Sequence, residues 1–127
     1  MYKVLITGGR YWTDKEYILN VLSRVLLDKE DVFVIHGGAR GVDSLAGIAA
    51  EGLGFEVKVV QANWKKFGRS AGIIRNREML DLNPDLVIAF HADLPNSKGT
   101  IDCIREAKRR GINVILYTGE TEPSCIN

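Results

Sequence analysis

Two glycine turns, each carrying an arginine and each opening into a helix, are the stretches of this chain best suited to chemistry. They are Thr7-Gly8-Gly9-Arg10-Tyr11-Trp12 and Gly37-Gly38-Ala39-Arg40-Gly41-Val42-Asp43. Glycine tolerates positive φ and has no Cβ, so an anion can approach the backbone N–H groups, and the helix N-terminus that follows adds partial positive charge. Phosphate is the natural ligand. A lone Gly-Gly would signify only a tight strand-to-helix turn; two such turns with arginine shift the reading toward phosphate. Neither matches the dinucleotide fingerprint G-x-G-x-x-G with its downstream acid, nor the triphosphate loop G-x-x-x-x-G-K-[ST], which disfavours a standard dehydrogenase or ATPase.

A third helix start, Ser97-Lys98-Gly99-Thr100, follows His91, Asp93, Pro95 and Asn96. Thr100 is placed to cap the helix, and the same residues could take an anion. Between these features, residues Val57 to Arg77 hold Lys58, Lys65, Lys66, Arg69, Arg75 and Arg77 with no acid among them. Trp64 and Phe67 lie in this basic band, a mixture able to stack bases and neutralise phosphates, or to serve as a solvated face. Arg75 and Arg77 are about 200° apart on a helix, so only one can face a pocket; Arg75 is preferred. Asp43 reads equally as a ribose-binding acid or as an early-helix acid favoured by the macrodipole. His36 and His91 end strands without metal-ligand spacing. Cys103 sits between Ile101 and Ile104 and reads as a small apolar residue. Tyr11 and Trp12 could stack a base or pack under the first helix.

The elements that must position these residues follow from hydrophobic period. Short β-branched runs alternate with amphipathic stretches, which implies βαβ units around a parallel sheet. Five strands are predicted: Lys3 to Ile6, Val32 to His36, Phe55 to Val60, Leu86 to Phe90 and Asn113 to Tyr117, each apolar enough to be buried on both faces. Of four helices, the first starts at a capping box, Thr13-Asp14-Lys15-Glu16, with an apolar stripe of Ile18, Leu22, Val25 and Leu26. The second runs from about Val42 to Glu51, the third from roughly Arg69 to Leu82 and the fourth from near Thr100 to Gly111. Right-handed crossovers place them on both faces of the sheet, a three-layer α/β sandwich with its ligand site at the carboxyl ends of the strands.

The 127 residues, 46% hydrophobic and 26% charged, suit one globular domain, and the net charge of +1 selects no partner class. Two cysteines, Cys103 and Cys125, are too few for a disulfide framework. No membrane span or signal segment is read, so a cytoplasmic location is expected. Thr118 to Asn127 reads as a polar tail (118–127) after a domain of residues 1–117.

Three stretches together, Gly37-Gly38-Ala39-Arg40-Gly41-Val42-Asp43, Ala71-Gly72-Ile73-Ile74-Arg75-Asn76-Arg77 and Gly99-Thr100, resemble the SLOG superfamily, above all its small stand-alone YspA/YpsA-related members. The resemblance implies a Rossmann-like domain, with strand order 3-2-1-4-5, that binds a nucleoside monophosphate or an ADP-ribose-like molecule. Gly8, Gly9, Gly99 and Thr100 would cradle phosphate through backbone donors, Arg10 and Arg75 would neutralise it, and Asp43 would hold ribose hydroxyls. Thr7, Gly37, Gly38, Arg40, Gly41, Asn76 and Ser97 complete the expected site. Two related groups point in different directions. LONELY GUY-type phosphoribohydrolases carry a catalytic Arg, matched by Arg75, and a glutamate whose position here is Cys103, with Asp102 one residue out of register. DNA-processing protein A binds single-stranded DNA. Hydrolysis of an N-glycosidic or phosphoribosyl bond would therefore rest on Asp43, Arg75 and Asp102, without metal or cofactor. The alternative is a non-catalytic nucleotide sensor, or a single-stranded DNA binder using Trp64 and the Lys65 to Arg77 band; the balanced charge weighs against the latter. A homodimer is expected by resemblance alone.

Overall fold

The computed structural model describes residues 1–119 and the backbone of Ser124–Cys125. Five parallel strands, β1 (Tyr2–Gly8), β2 (Val32–His36), β3 (Glu56–Val59), β4 (Leu86–Phe90) and β5 (Asn113–Tyr117), stand in the order 3-2-1-4-5. A two-residue β6 (Ser124–Cys125), from the stretch read as a polar tail, adds a sixth strand antiparallel to β5. The rest of that stretch beyond residue 119 lies outside the described residues.

Alternation along the strands sends successive side chains to opposite layers. Val4 and Ile6 join Val34, Ile88 and Phe90 beneath α1 (Lys15–Leu26) and α2 (Val42–Gly52). Leu5, Ile35, Val87 and Ala89 face the opposite layer, where they meet Met79 and Leu80 of α4 (Ala71–Leu80) and Cys103, Ile104 and Ala107 of α5 (Lys98–Arg109). The central strands are thus buried on both faces, as parallel strands between helices must be. β3 departs from that expectation: at the sheet edge it leaves Glu56, Lys58 and Val59 exposed. A charged edge also blocks pairing with another chain.

Local chemistry moves several predicted boundaries. Asp14, not Thr13, caps α1, its carboxylate accepting the Tyr17 N–H at 3.1 Å. Ser97, not Thr100, caps α5, so that helix starts earlier. The third predicted helix is preceded by α3 (Trp64–Phe67) and a 3₁₀ turn (Gly68–Ser70), broken where Gly68 takes φ 57°. These breaks turn the basic band into separate surfaces.

Candidate functional site

A cleft of about 1160 Å³ runs along the carboxyl edge of the sheet, over the ends of β1, β2 and β4. It lies where the chain order reverses between β1 and β4, the switch point at which open α/β sheets leave a crevice. The first turn is flush against its neighbours: a Cβ on Gly8 would overlap the Phe90 carbonyl oxygen and the Val42 side chain. Gly41, at φ 79°, brings its backbone onto the Gly9 carbonyl, which accepts the Val42 N–H at 3.1 Å. Gly41 is therefore a structural joint between the two glycine turns and does not line the cleft.

The second turn does not present its amides to a ligand. Asp43 Oδ2 accepts the N–H groups of Gly37 at 3.1 Å and Ala39 at 3.2 Å, while His36 Nδ1 accepts that of Gly38 at 3.0 Å. The ligand-binding role expected of Gly37 and Gly38 is corrected accordingly for their amides: Asp43 and His36 of the same chain already take them. Burial pushes the Asp43 carboxyl up from 3.8 to about 6, against the opposing pull of those amides and of Arg75. In the first turn, Gly9 N–H donates to the Phe90 carbonyl at 3.0 Å, which corrects the expectation that this amide would cradle phosphate.

At the start of α5 the situation is reversed. Ser97 Oγ accepts the Thr100 N–H at 3.2 Å, which corrects the expectation that this amide would cradle phosphate, and the Ser97 carbonyl accepts the Ile101 N–H. Among the described residues the Lys98 and Gly99 N–H groups have no acceptor, and both residues line the cleft. These are the orphan donors that every helix start leaves.

Arg75 reaches the cleft from α4. Its Nη1 donates to the Gly37 carbonyl at 2.6 Å and its Nε to Asn76 Oδ1 at 3.3 Å, and no carboxylate pairs with it among the described residues. Asn76 is buried, and its Nδ2 donates to the Gly99 carbonyl and to Asp102 Oδ2, both at 3.2 Å. One carboxamide thus ties Arg75 to the first turn of α5. Arg77 points elsewhere, pairing with Asp102 at 3.0 Å and Glu106 at 3.6 Å.

Asp102, expected among the catalytic residues, does not line the cleft; it is held by Arg77 and Asn76. Cys103 is buried in the core, where desolvation pushes its thiol up to about 12, so it is no nucleophile. His91 lines the cleft against Gly9, and its Nδ1 accepts the Asp93 N–H at 2.9 Å, which leaves Nε2 as the protonated nitrogen of the neutral ring. Burial lowers the pKa of both His91 and His36.

Thr7, Arg10 and Arg40 line the cleft, Arg40 lying 5.4 Å from the ring centre of exposed Tyr11. Tyr11 and Trp12 line the cleft as well, Trp12 with its ring packed under α1, 5.5 Å from Tyr17 and 5.7 Å from Phe90. Of the basic band, Arg69 and Arg75 line the cleft, whereas Lys65 and Lys66 do not. The walls carry five cationic side chains, Arg10, Arg40, Arg69, Arg75 and Lys98, against two carboxylates, Asp43 and Asp93. Gln61 and Ile73, not singled out from sequence, also line it. Gln61 follows β3 and packs on Gly38, a position the rule about strand ends could have flagged; exposed Ile73 carries no comparable signal.

The model of the YspA, cpYpsA-related SLOG family matches residues 2–67. The chain belongs to this family. The matched part of this SLOG chain contains both glycine turns and Asp43, while Arg75, Asn76 and the start of α5 lie beyond it. Gene 61 protein of Mycobacterium phage D29 is 39% identical over 123 residues, covering 92% of this chain and 97% of that protein. DNA processing protein A (DprA) from Streptococcus pneumoniae shares the fold with a TM-score of 0.77 at 19% identity, covering 95% of this chain and 52% of that one. The SLOG chain thus spans about half the length of that DprA. A structural-genomics target, TM1055, aligns with a TM-score of 0.67 at 20% identity over 90% of this chain and 72% of the other. No helix among the described residues is long and apolar enough to cross a membrane.

Proposed function

We propose that this SLOG domain binds a nucleotide or nucleotide-derived ligand, a nucleoside monophosphate or an ADP-ribose-like molecule, with phosphate held between Arg75, Arg10 and the first turn of α5. The observation that carries this reading is the join made by Asn76: a guanidinium without a carboxylate partner is held beside two unspent helix amides. An anion accepting from both gains charge-assisted hydrogen bonds and the favourable end of the helix dipole. The surplus of cations on the cleft walls supports the same reading.

Binding without turnover is the better supported form of this function. N-glycosidic hydrolysis needs a carboxylate beside the sugar. Asp102 is committed to Arg77, and Cys103 stands where the hydrolytic relatives place glutamate. Asp43 lines the cleft but spends one oxygen on two amides. Lys65 and Lys66 outside the cleft wall favour a small ligand over a nucleic-acid strand.

Calorimetric titration with AMP, ADP-ribose and inorganic phosphate tests the proposal. AMP or ADP-ribose is expected to bind, and Arg75→Ala to weaken binding by about 10- to 100-fold, as loss of a charged hydrogen-bond donor predicts. Absence of binding by all three, or an unchanged Arg75→Ala, would refute the reading. Chromatography of the same mixtures is expected to show intact ligand; released free base would restore the hydrolase.

A further inference from the structure

The cleft has a second, aromatic end whose role the phosphate site does not explain. The chain has two tryptophans, and the structure treats them differently. Trp12 also lines the cleft, but its ring is held against Tyr17 and Phe90 and its Nε1 donates to the Asp14 carbonyl at 3.0 Å. Trp64 opens α3, lines the cleft and stays 54% exposed, with no aromatic partner among the described residues. Leaving so large an apolar surface in water forgoes burial that folding normally exploits.

Its placement on α4 is specific. The rim of the indole rests over Gly72, where a Cβ would lie 3.5 Å from Trp64 Cη2, ordinary van der Waals contact. One edge of the ring is therefore backed by α4, and the residue lines the cleft. Gly72, Arg75 and Asn76 recur at the three- and four-residue spacing that puts them on one helix face. A rise of about 4.5 Å separates Gly72 from Arg75. Trp64, resting on Gly72, and Arg75 thus line the cleft from the same side of α4. Arg69, also in the cleft wall, closes the same end with a cation.

We infer that Trp64 is the stacking platform for a planar nitrogenous base, so that the cleft selects base–sugar–phosphate over sugar phosphate alone. This rests on the nucleotide reading above, and it makes Trp64 a specificity-determining residue. Stacking on an aromatic side chain is sequence-tolerant and worth about 1–3 kcal/mol, or roughly 5- to 150-fold in affinity.

The test compares AMP with ribose 5-phosphate on the wild-type chain, Trp64→Ala and Trp64→Phe, with circular dichroism to confirm folding. AMP is expected to quench tryptophan fluorescence and to bind about 5- to 150-fold more tightly than ribose 5-phosphate, which binds without quenching. Trp64→Ala should bring the two ligands near parity, and Trp64→Phe should restore the preference for AMP while the quench falls to whatever Trp12, also in the cleft wall, contributes in Trp64→Ala. Equal affinities in the wild-type chain, or a preference unaffected by Trp64→Ala, would overturn the inference and leave the phosphate site standing. Failure of both ligands to bind would remove the nucleotide reading itself. A short oligothymidylate that quenches Trp64 while AMP does not would assign the platform to a nucleic-acid strand and also overturn the inference.

Discussion

The turn after β2 and the turn into α5 both join glycine to a helix start, yet one is closed and the other open. After β2, Asp43 reaches back from the first turn of α2 and takes the amides of Gly37 and Ala39, and His36 takes that of Gly38. At α5 only the Ser97 hydroxyl reaches back, and the amides of Lys98 and Gly99 are left over. Glycine content does not decide whether a turn can bind an anion. What decides it is whether the chain supplies its own acceptor within reach.

Three measurements break or sharpen that comparison. The largest effect concerns the charge of Asp43. Its folded pKa is raised from 3.8 to about 6, so the native state holds the proton more tightly than the unfolded chain. The stability contributed by the protonated acid is complete below about pH 4 and is lost as pH rises through 6. Asp43→Asn removes this dependence, so its stability relative to wild type should rise by about 3 kcal/mol between pH 3.5 and pH 7, the cost of a shift of this size. Urea denaturation across that range checks it; parallel pH profiles would mean that Asp43 is not buried as described.

The next effect isolates the acceptor. Asp43→Ala leaves two amides of the closed turn without a partner, whereas Asp43→Asn keeps a carbonyl for them. Alanine is expected to be about 2 kcal/mol less stable than asparagine, the order of one to two buried donors left unsatisfied. Equal stability of the two variants would mean that water or rearrangement satisfies the turn, and the contrast with α5 would dissolve. The smallest effect is at the open turn. Ser97→Ala should cost about 1 kcal/mol in thermal or urea unfolding, as loss of an N-cap does; no cost would mean that Thr100 takes over as the cap.

Much of the architecture was legible in residue types. Val32–His36, Leu86–Phe90 and Asn113–Tyr117 are strands at the predicted bounds because continuous apolar runs of that length have no other stable use between amphipathic helices. The edge position of β3 follows from the expected order 3-2-1-4-5, but its exposure was not legible, since its residues were read as apolar enough to be buried on both faces. The N-caps moved by one to three residues because several side chains in each stretch could accept the same hydrogen bond. At the site, helix period alone separates Arg75 from Arg77, and the structure places the first in the cleft and the second beside Asp102 and Glu106. The fate of Asp102 was not readable, because the register of α5 against α4 is set by packing between distant segments.

By itself the sequence determined the layers, the strands and the edge of the sheet at which a ligand would sit, since hydrophobic period and glycine placement are local properties of the chain. Only the tertiary structure decided which donors at that edge remain free. A hydrogen bond depends on separations of about 3 Å between groups far apart in the chain, and Asp43, Asn76 and Trp64 acquire their roles from neighbours that no local pattern names.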